Sequence, residues 1–441
     1  MKMKKLICVL MLGALCVLAW TTRIANNAKQ EKEYAGLLDT AQLLTDDGLY
    51  QRALESYADA IAIKDTPQLR EKQLAAGKLA LDDGVTSRAK YIQLLESACT
   101  AYPQETEFWK LALEECLVLE DYKTGYRLAQ KLPDAASAEP EIRKTALKIA
   151  YTFNAGSQLY SEVRRAPSGY AAVCTMEQWG VREPDGDELY TATYRYAGPV
   201  GEGQDVLLCT EDDSRIVDKN EVVQARIRTE FAQANAYGSG MLPICVSDKW
   251  SYYDCETGKL VPSSYQEASS YQNGVAAVCK NGFWELVGLD GKAVCQTQFR
   301  DVKLYGNGQY CNQKRMTASE TGAEYALYDA KGTRVSDFSA REMDVYMGGA
   351  VAYADGSGKW GFANEKGKIL IEPAYEEAKS FSNGLAAVKK GGLWGFINEA
   401  GEMVIEPQFA HADYFSKDGL CYVGDSEDTF YTISLRFTGG L

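Results

Sequence analysis

The sequence predicts a multidomain α + all-β protein: a signal or anchor segment over 1–29, α-helical hairpin repeats over 30–160, and an all-β repeat domain over 161–441. Three observations carry this. Lysines precede an apolar run at the start. Residues 30–160 space their apolar side chains three and four apart. Beyond about residue 161, a tryptophan recurs inside a fixed frame of glycines and aromatics.

In "MKMKKLICVLMLGALCVLAW", Lys2, Lys4 and Lys5 lead an uncharged run from 6 to 20, the pattern of a secretory n-region and h-region. The run is shorter than the roughly 20 residues of a spanning helix. Val17 and Ala19 make a poor cleavage site, and neither Cys8 nor Cys16 follows the small residue that a lipoprotein signal needs. The expectation is a single-pass anchor in the cell membrane with extracytoplasmic domains; the alternative is secretion after signal cleavage. In both, the leading lysines put the rest of the chain outside the cytoplasm.

The helical region opens with "TAQLLTDDGLYQRALESYADAIAIKDTP". Gly48, Tyr50, Ala53, Tyr57 and Ala60 are separated as in the second half of a tetratricopeptide repeat, which this stretch resembles. The resemblance implies that Ala53 and Ala60 lie where two helices approach closely and that the tyrosines fill the groove beside them. Looser copies hold Gly84 and Ala89, then Trp109, Tyr122 and Gly125, and the last helix is expected near 141–159. An ordinary helical bundle is the competing reading.

The β region is read from Trp394 in "FSNGLAAVKKGGLWGFINEAGEMVIEPQF". Phe381 lies thirteen residues before it, Gly384 ten before and Gly401 seven after. Trp284 has Tyr271, Gly274 and Gly291 at the same offsets, Trp250 has Tyr237 and Gly240, and Trp179 has Gly169 and Gly186. Trp360 keeps Gly367. Weaker copies centre on Tyr325 and Phe430, and one near Asp213 has no aromatic. The count is about eight units of about 35 residues, each an antiparallel meander whose glycines supply positive φ in the turns. The recurring tryptophans are expected as buried apolar anchors. Pro262, Pro373 and Pro407 are expected where the backbone donates no hydrogen bond.

These residues resemble the WG-repeat family, through Trp179-Gly180, Trp360-Gly361-Phe362 and Trp394-Gly395-Phe396; Ser251 and Glu285 replace the second glycine elsewhere. The resemblance implies an all-β repeat domain and brings no catalytic residue. About eight meanders are expected to close into a propeller, the two chain ends completing one another; an open β-solenoid is the alternative.

Chemistry is sparse. The one histidine, His411, holds a position taken by Glu267 and Glu377 in sister units, which marks it as a variable surface residue rather than a general base. The acidic runs at 184–188 and 211–214 lack the spacing of a calcium loop, and "GEGQD" at Gly201 lacks the Lys-Ser/Thr of a phosphate loop. Of the twelve cysteines, those outside the leader show no CxxC pair, which argues against zinc. Cys174, Cys245 and Cys279 share one repeat position and are expected as small apolar fillers, with disulfides as the alternative. No catalytic residue, cofactor or metal is therefore assigned.

The 61 acids against 47 bases, a net charge of −14, argue against nucleic acid and leave membrane contact to the N-terminal segment. Two repeat regions without a catalytic set point to a non-enzymatic envelope adaptor that binds a protein or peptide partner. A cell-wall glycan is the alternative ligand, suggested by the 28 tyrosines and testable at Tyr190, Tyr194 and Tyr196. A carboxylate-dependent glycoside hydrolase is a remote third.

Overall fold

The computed structural model describes residues 2–441 except 167, 202, 304–314, 320–323, 330 and 427; the side chains of 2–19, 21, 22, 24, 25, 303 and 315–318 are also outside the description. The side chains of most of the expected leader, Cys8 and Cys16 among them, are therefore outside the description, and Cys311 lies outside the described residues. Among the described residues no helix is long and apolar enough to cross a membrane. The chain divides into two units, one ending at Ala150 and one running from Tyr151 to Gly440.

The first unit is helical: α1 (Lys2–Asp46), α2 (Tyr50–Ile63), α3 (Pro67–Asp82), α4 (Arg88–Ala101), α5 (Thr106–Val118), α6 (Tyr122–Ala129), α7 (Asp134–Ser137) and α8 (Pro140–Ala150). Local chemistry sets the boundaries. Thr66, Ser87 and Asp121 accept hydrogen bonds from Leu69, Lys90 and Thr124 N–H at the starts of α3, α4 and α6, satisfying donors that a first turn leaves open. Gly48 and Gly84 sit at φ of 72° and 71° just past α1 and α3. There the Leu49 and Val85 N–H groups reach back to the Leu44 and Ala80 carbonyls, the pattern of a Schellman end that favours glycine. Ala53, Tyr57 and Ala60 are buried on one face of α2 while Tyr50 is half-buried. A longer core runs through Leu95, Trp109, Leu113 and Ile142, and Gly125 admits α6 because a Cβ there would meet Cys116 and Ile149 at 3.1 Å.

The described residues of the second unit form eight small antiparallel sheets in chain order. We number them 1 to 8, over 162–194, 196–226, 233–260, 267–288, 301–340, 342–375, 377–409 and 411–435. Sheet 7 is representative, with strands Glu377–Ala378, Leu385–Lys390, Leu393–Asn398 and Met403–Phe409. Sheet 4 has three strands and its outer edge is followed only at isolated bridges, such as Trp284 with Phe299.

The frame read from the sequence has a physical cause at each position. The aromatic thirteen before the anchor packs on the residue two after the anchor of the preceding sheet. Thus Tyr271 meets Tyr252 and Phe381 meets Phe362, at 4.7 and 4.8 Å between ring centres; in sheet 8 the contact is made from fifteen before the anchor, Phe415 meeting Phe396 at 4.8 Å. The glycine after the tryptophan allows the outer strand to close in. A Cβ on Gly180, Gly361 or Gly395 would lie 2.7, 2.6 or 2.5 Å from the carbonyl oxygen of Tyr190, Ile371 or Ile405, and the strand pairing shifts register at each of these places. Pro373 and Pro407 face that close approach with no N–H to leave unpaired. Where Ser251 or Glu285 replaces glycine, the pairing beyond the tryptophan is thinner: the isolated bridges of Trp250 with Tyr265 and of Trp284 with Phe299, then the two-residue strand Lys259–Leu260 on Tyr253 and Asp254 in sheet 3 and the Val287–Ala293 bridge in sheet 4. The later glycine closes a turn in which an Asx side chain accepts backbone N–H groups, as Asn398 does from Ala400 and Glu402 around Gly401.

Apolar cores lie between consecutive sheets, for instance Ala172, Trp179 and Val181 of sheet 1 against Ala197, Val206 and Leu208 of sheet 2. Sheet 8 likewise meets sheet 1 through Leu420 and Tyr422 against Ala171 and Val173. One sequence expectation is corrected. The boundary at 160/161 and the helix to 159 run too far: α8 stops at Ala150, and Phe153–Ala155 is a strand that pairs with Leu435, Ser434 and Ile433. Sheet 1 has its own first strand, Glu162–Arg165. The strand at the start of the second unit, Phe153–Ala155, completes sheet 8, covering an edge that Thr429–Leu435 would otherwise expose.

Candidate functional site

Each sheet begins with a short strand whose first residue faces the anchor position across the second strand. In sheet 1, Glu162 pairs with Cys174, which pairs with Trp179. In sheet 6, Glu342 pairs with Ala354, which pairs with Trp360; in sheet 7, Glu377 pairs with Lys389, which pairs with Trp394. Trp250, Trp284, Tyr325 and Phe430 hold the same register in their sheets, and in sheet 2 the place falls to Ser214. Trp179 and Trp394 are buried at 6% exposure, whereas Trp250, Trp284 and Trp360 stay half-buried. They start their strands at the sheet rim, so one edge of each ring remains wet. Gly169, Gly240, Gly274 and Gly384 all lie at positive φ and shape the turn into the second strand.

The cysteine expectation can be placed in this frame. Cys174, Cys245 and Cys279 each face a tryptophan, in three different sheets, and all nine described cysteines are free thiols. His411 takes the position of Glu377 and Glu342 and leans on the Phe430 ring, centres 5.6 Å apart. Among the described residues no group of carboxylate, thiol and imidazole side chains could hold a metal ion. Nor do the three test tyrosines form an exposed platform. Tyr190 is buried and donates to the Asp218 carbonyl, Tyr194 packs against it, and Tyr196 lies between Trp179 and Phe231.

A cleft of about 500 Å³ opens between sheets 6 and 7, with Glu342, Trp360, Glu377, Ala378, Lys379 and Trp394 on its lining and Arg341 and Glu376 at its edge. Glu376 is committed to structure: its carboxylate accepts the Gly391 and Gly392 N–H groups at 2.8 and 3.0 Å, which hold it below the usual carboxylate range. Glu377 pairs with Lys389 at 3.1 Å. Glu342 forms no ion pair among the described residues.

At the foot of the cleft, Asp344 accepts the Ser380 N–H at 2.8 Å and the Tyr414 hydroxyl at 2.6 Å. Lys379 lies 3.4 Å from Asp413 and 5.1 Å from the Tyr414 ring centre. Arg165 donates to the Phe415 carbonyl at 3.3 Å. Burial works against the Asp413 carboxylate, but Lys379 and Arg165 outweigh it and lower its pKa. Burial, then the charge and hydrogen bond of Asp344, raise Tyr414 well above the ordinary phenol value. This cluster draws on sheets 1, 6, 7 and 8. Sequence reasoning missed it; the available signal was that the residue two after the Glu/His position reads Asp344, Lys379 and Asp413 in sheets 6, 7 and 8.

Fold and site together define a two-part repeat protein, helices followed by small β-meanders. Three stretches of its β part match the WG containing repeat: 258–284, 360–394 and 394–423. No curated protein matches the chain. Among solved structures, PorZ, an essential bacterial surface component of the type-IX secretion system of Porphyromonas gingivalis, aligns at TM-score 0.32 and 8% identity over 66% of this chain and 38% of its own. The match spans well under half of that protein's length.

Proposed function

We propose that the chain is a non-enzymatic adaptor that holds a protein or peptide partner at the cell envelope, its helical part built as tetratricopeptide-like hairpins and its β part as an eight-bladed propeller. The observation that carries this reading is the open cleft between sheets 6 and 7, where indole rings and charged groups of both signs stand together, a mixture suited to polypeptide side chains. Support for the propeller comes from the strand Phe153–Ala155, at the start of the second unit, seated in sheet 8, and from the core that sheets 8 and 1 share. Closure of this kind removes exposed strand edges. The basic residues ahead of an apolar run support the envelope location, by an anchor or by export.

Crosslinking and capture in cells tests the reading, with the full chain compared to chains lacking 31–150 or 151–441. Defined proteins are expected with the full chain, and one of the two deletions is expected to lose them. Capture no better than background overturns the reading. With no exposed tyrosine platform at Tyr190, Tyr194 and Tyr196, purified cell-wall material is expected not to sediment the protein.

A further inference from the structure

We propose that the cleft between sheets 6 and 7 takes the guanidinium group of an arginine presented by a partner polypeptide. This deepens the adaptor reading and rests on it. The template lies within the same chain. Between sheets 1 and 2, Arg164 fills the equivalent space: its guanidinium sits 4.0 Å from the Trp179 ring centre and 4.7 Å from that of Tyr196. It pairs with Glu162 at 2.8 Å and donates to the Ala197 carbonyl at 3.0 Å.

Strand register identifies the counterpart of each of these groups in sheets 6 and 7. Glu342 stands for Glu162, Trp360 for Trp179, Ala378 for Ala197 and Glu377 for Tyr196. The position of Arg164 itself holds Asp344, which turns away to Ser380 and Tyr414. The receptor for a guanidinium is thus retained while the guanidinium is missing, and the space it would occupy is the cleft. Nearby seams show that the carbonyl at the Ala378 position is normally served from the preceding sheet: Tyr196 donates to Ala234 at 3.0 Å and Asn235 to Ala268 at 2.7 Å. An aspartate at 344 cannot donate to Ala378.

The electrostatics agree in sign. Glu342, Asp344, Glu376 and Glu377 line the cleft with Arg341 and Lys379; Lys379 is matched by Asp413 and Glu377 by Lys389, which leaves Glu342 as a carboxylate with no ion pair among the described residues. A planar guanidinium stacks on an indole face and forks onto a carboxylate, which an ammonium does less well.

The test is calorimetric titration of the full chain with N-acetyl-arginine amide, using the citrulline analogue as the uncharged control. Binding with Kd on the order of 1 mM is expected for so small a probe, with none for citrulline. Glu342→Gln, a change at an exposed side chain, is expected to weaken binding about tenfold with an unchanged melting temperature. Asp344→Arg is expected to abolish binding by filling the cleft from within. Equal binding of arginine and citrulline amides, no binding of either, or indifference to Glu342→Gln would overturn the proposal. Partner capture by Glu342→Gln at the level of the unaltered chain would also refute it while leaving the adaptor reading intact, whereas capture of nothing by the unaltered chain refutes that reading.

Discussion

The Tyr414 hydroxyl, on the loop after the first strand of sheet 8, donates at 2.6 Å to Asp344 of sheet 6 and so passes over the intervening sheet. Asp344 receives only one other described donor in this cluster, Ser380 N–H. Tyr414→Phe is expected to leave a carboxylate oxygen short of a partner and to cost about 2 kcal/mol, read from urea unfolding of the β unit. A loss within error would mean that water substitutes for the phenol.

The two kinds of repeat glycine are expected to respond differently. Gly395→Ala places a Cβ 2.5 Å from the Ile405 carbonyl oxygen, so the outer strand must move; a loss of about 3 kcal/mol is expected. At Gly384 the space is open and the constraint is φ of +74°, so Gly384→Ala is expected to cost about 1 kcal/mol. Thermal melts of the two variants side by side would check the order, and a reversed order would sink this account of the Trp-Gly pair.

Removal of the strand Phe153–Ala155 tests closure. A chain truncated to 151–441 keeps the pairing of Phe153, Asn154 and Ala155 with the last strand, and one truncated to 161–441 loses it. The shorter chain is expected to melt at lower temperature and to self-associate through the bared edge of Thr429–Leu435. Light scattering and melting of the pair would show no difference if that strand were dispensable.

Asp205 gives a pH dependence. Burial, then the neighbouring charge of Asp218, push its carboxyl up to about 6, above the unfolded value near 4. The folded chain holds this proton more tightly, so the associated stability is complete below about pH 4 and is lost as pH rises through about 6. Asp205→Asn is expected to stabilise by about 1 kcal/mol at pH 8, a figure reduced for half exposure, and to change little at pH 4. Denaturant melts at the two pH values would reveal an equal effect if the shift were absent.

Buried thiols should be inert. Burial is the main cause that pushes Cys99, Cys116 and Cys421 up to about 12, leaving about one thiolate in ten thousand at pH 8. Iodoacetamide is expected to leave these three unmodified in the folded chain and to label them once urea is added. Mass spectrometry of tryptic peptides would expose early labelling.

The sequence by itself determined the repeat, because each part of its frame answers a local or nearest-neighbour need. Positive φ at Gly384, a bare backbone at Gly395 beside Pro407, and the Phe381 ring that reaches Phe362 of the previous sheet all recur at fixed spacing. The amphipathic helices with Gly48 and Gly84 at their ends were legible for the same reason. Other features were decided only by the tertiary structure. The strand at Phe153–Ala155 has a helix before it and no repeat glycine to mark it; it becomes a strand because the edge of Thr429–Leu435 requires a partner. The Arg164 seam, the Asp344–Tyr414 bond and the cleft between Trp360 and Trp394 join residues from different sheets. They occupy recurring positions of the frame, but the residue type at those positions changes from unit to unit, and charge and hydrogen bonding across a seam depend on which sheets become neighbours and not on the turns within either one.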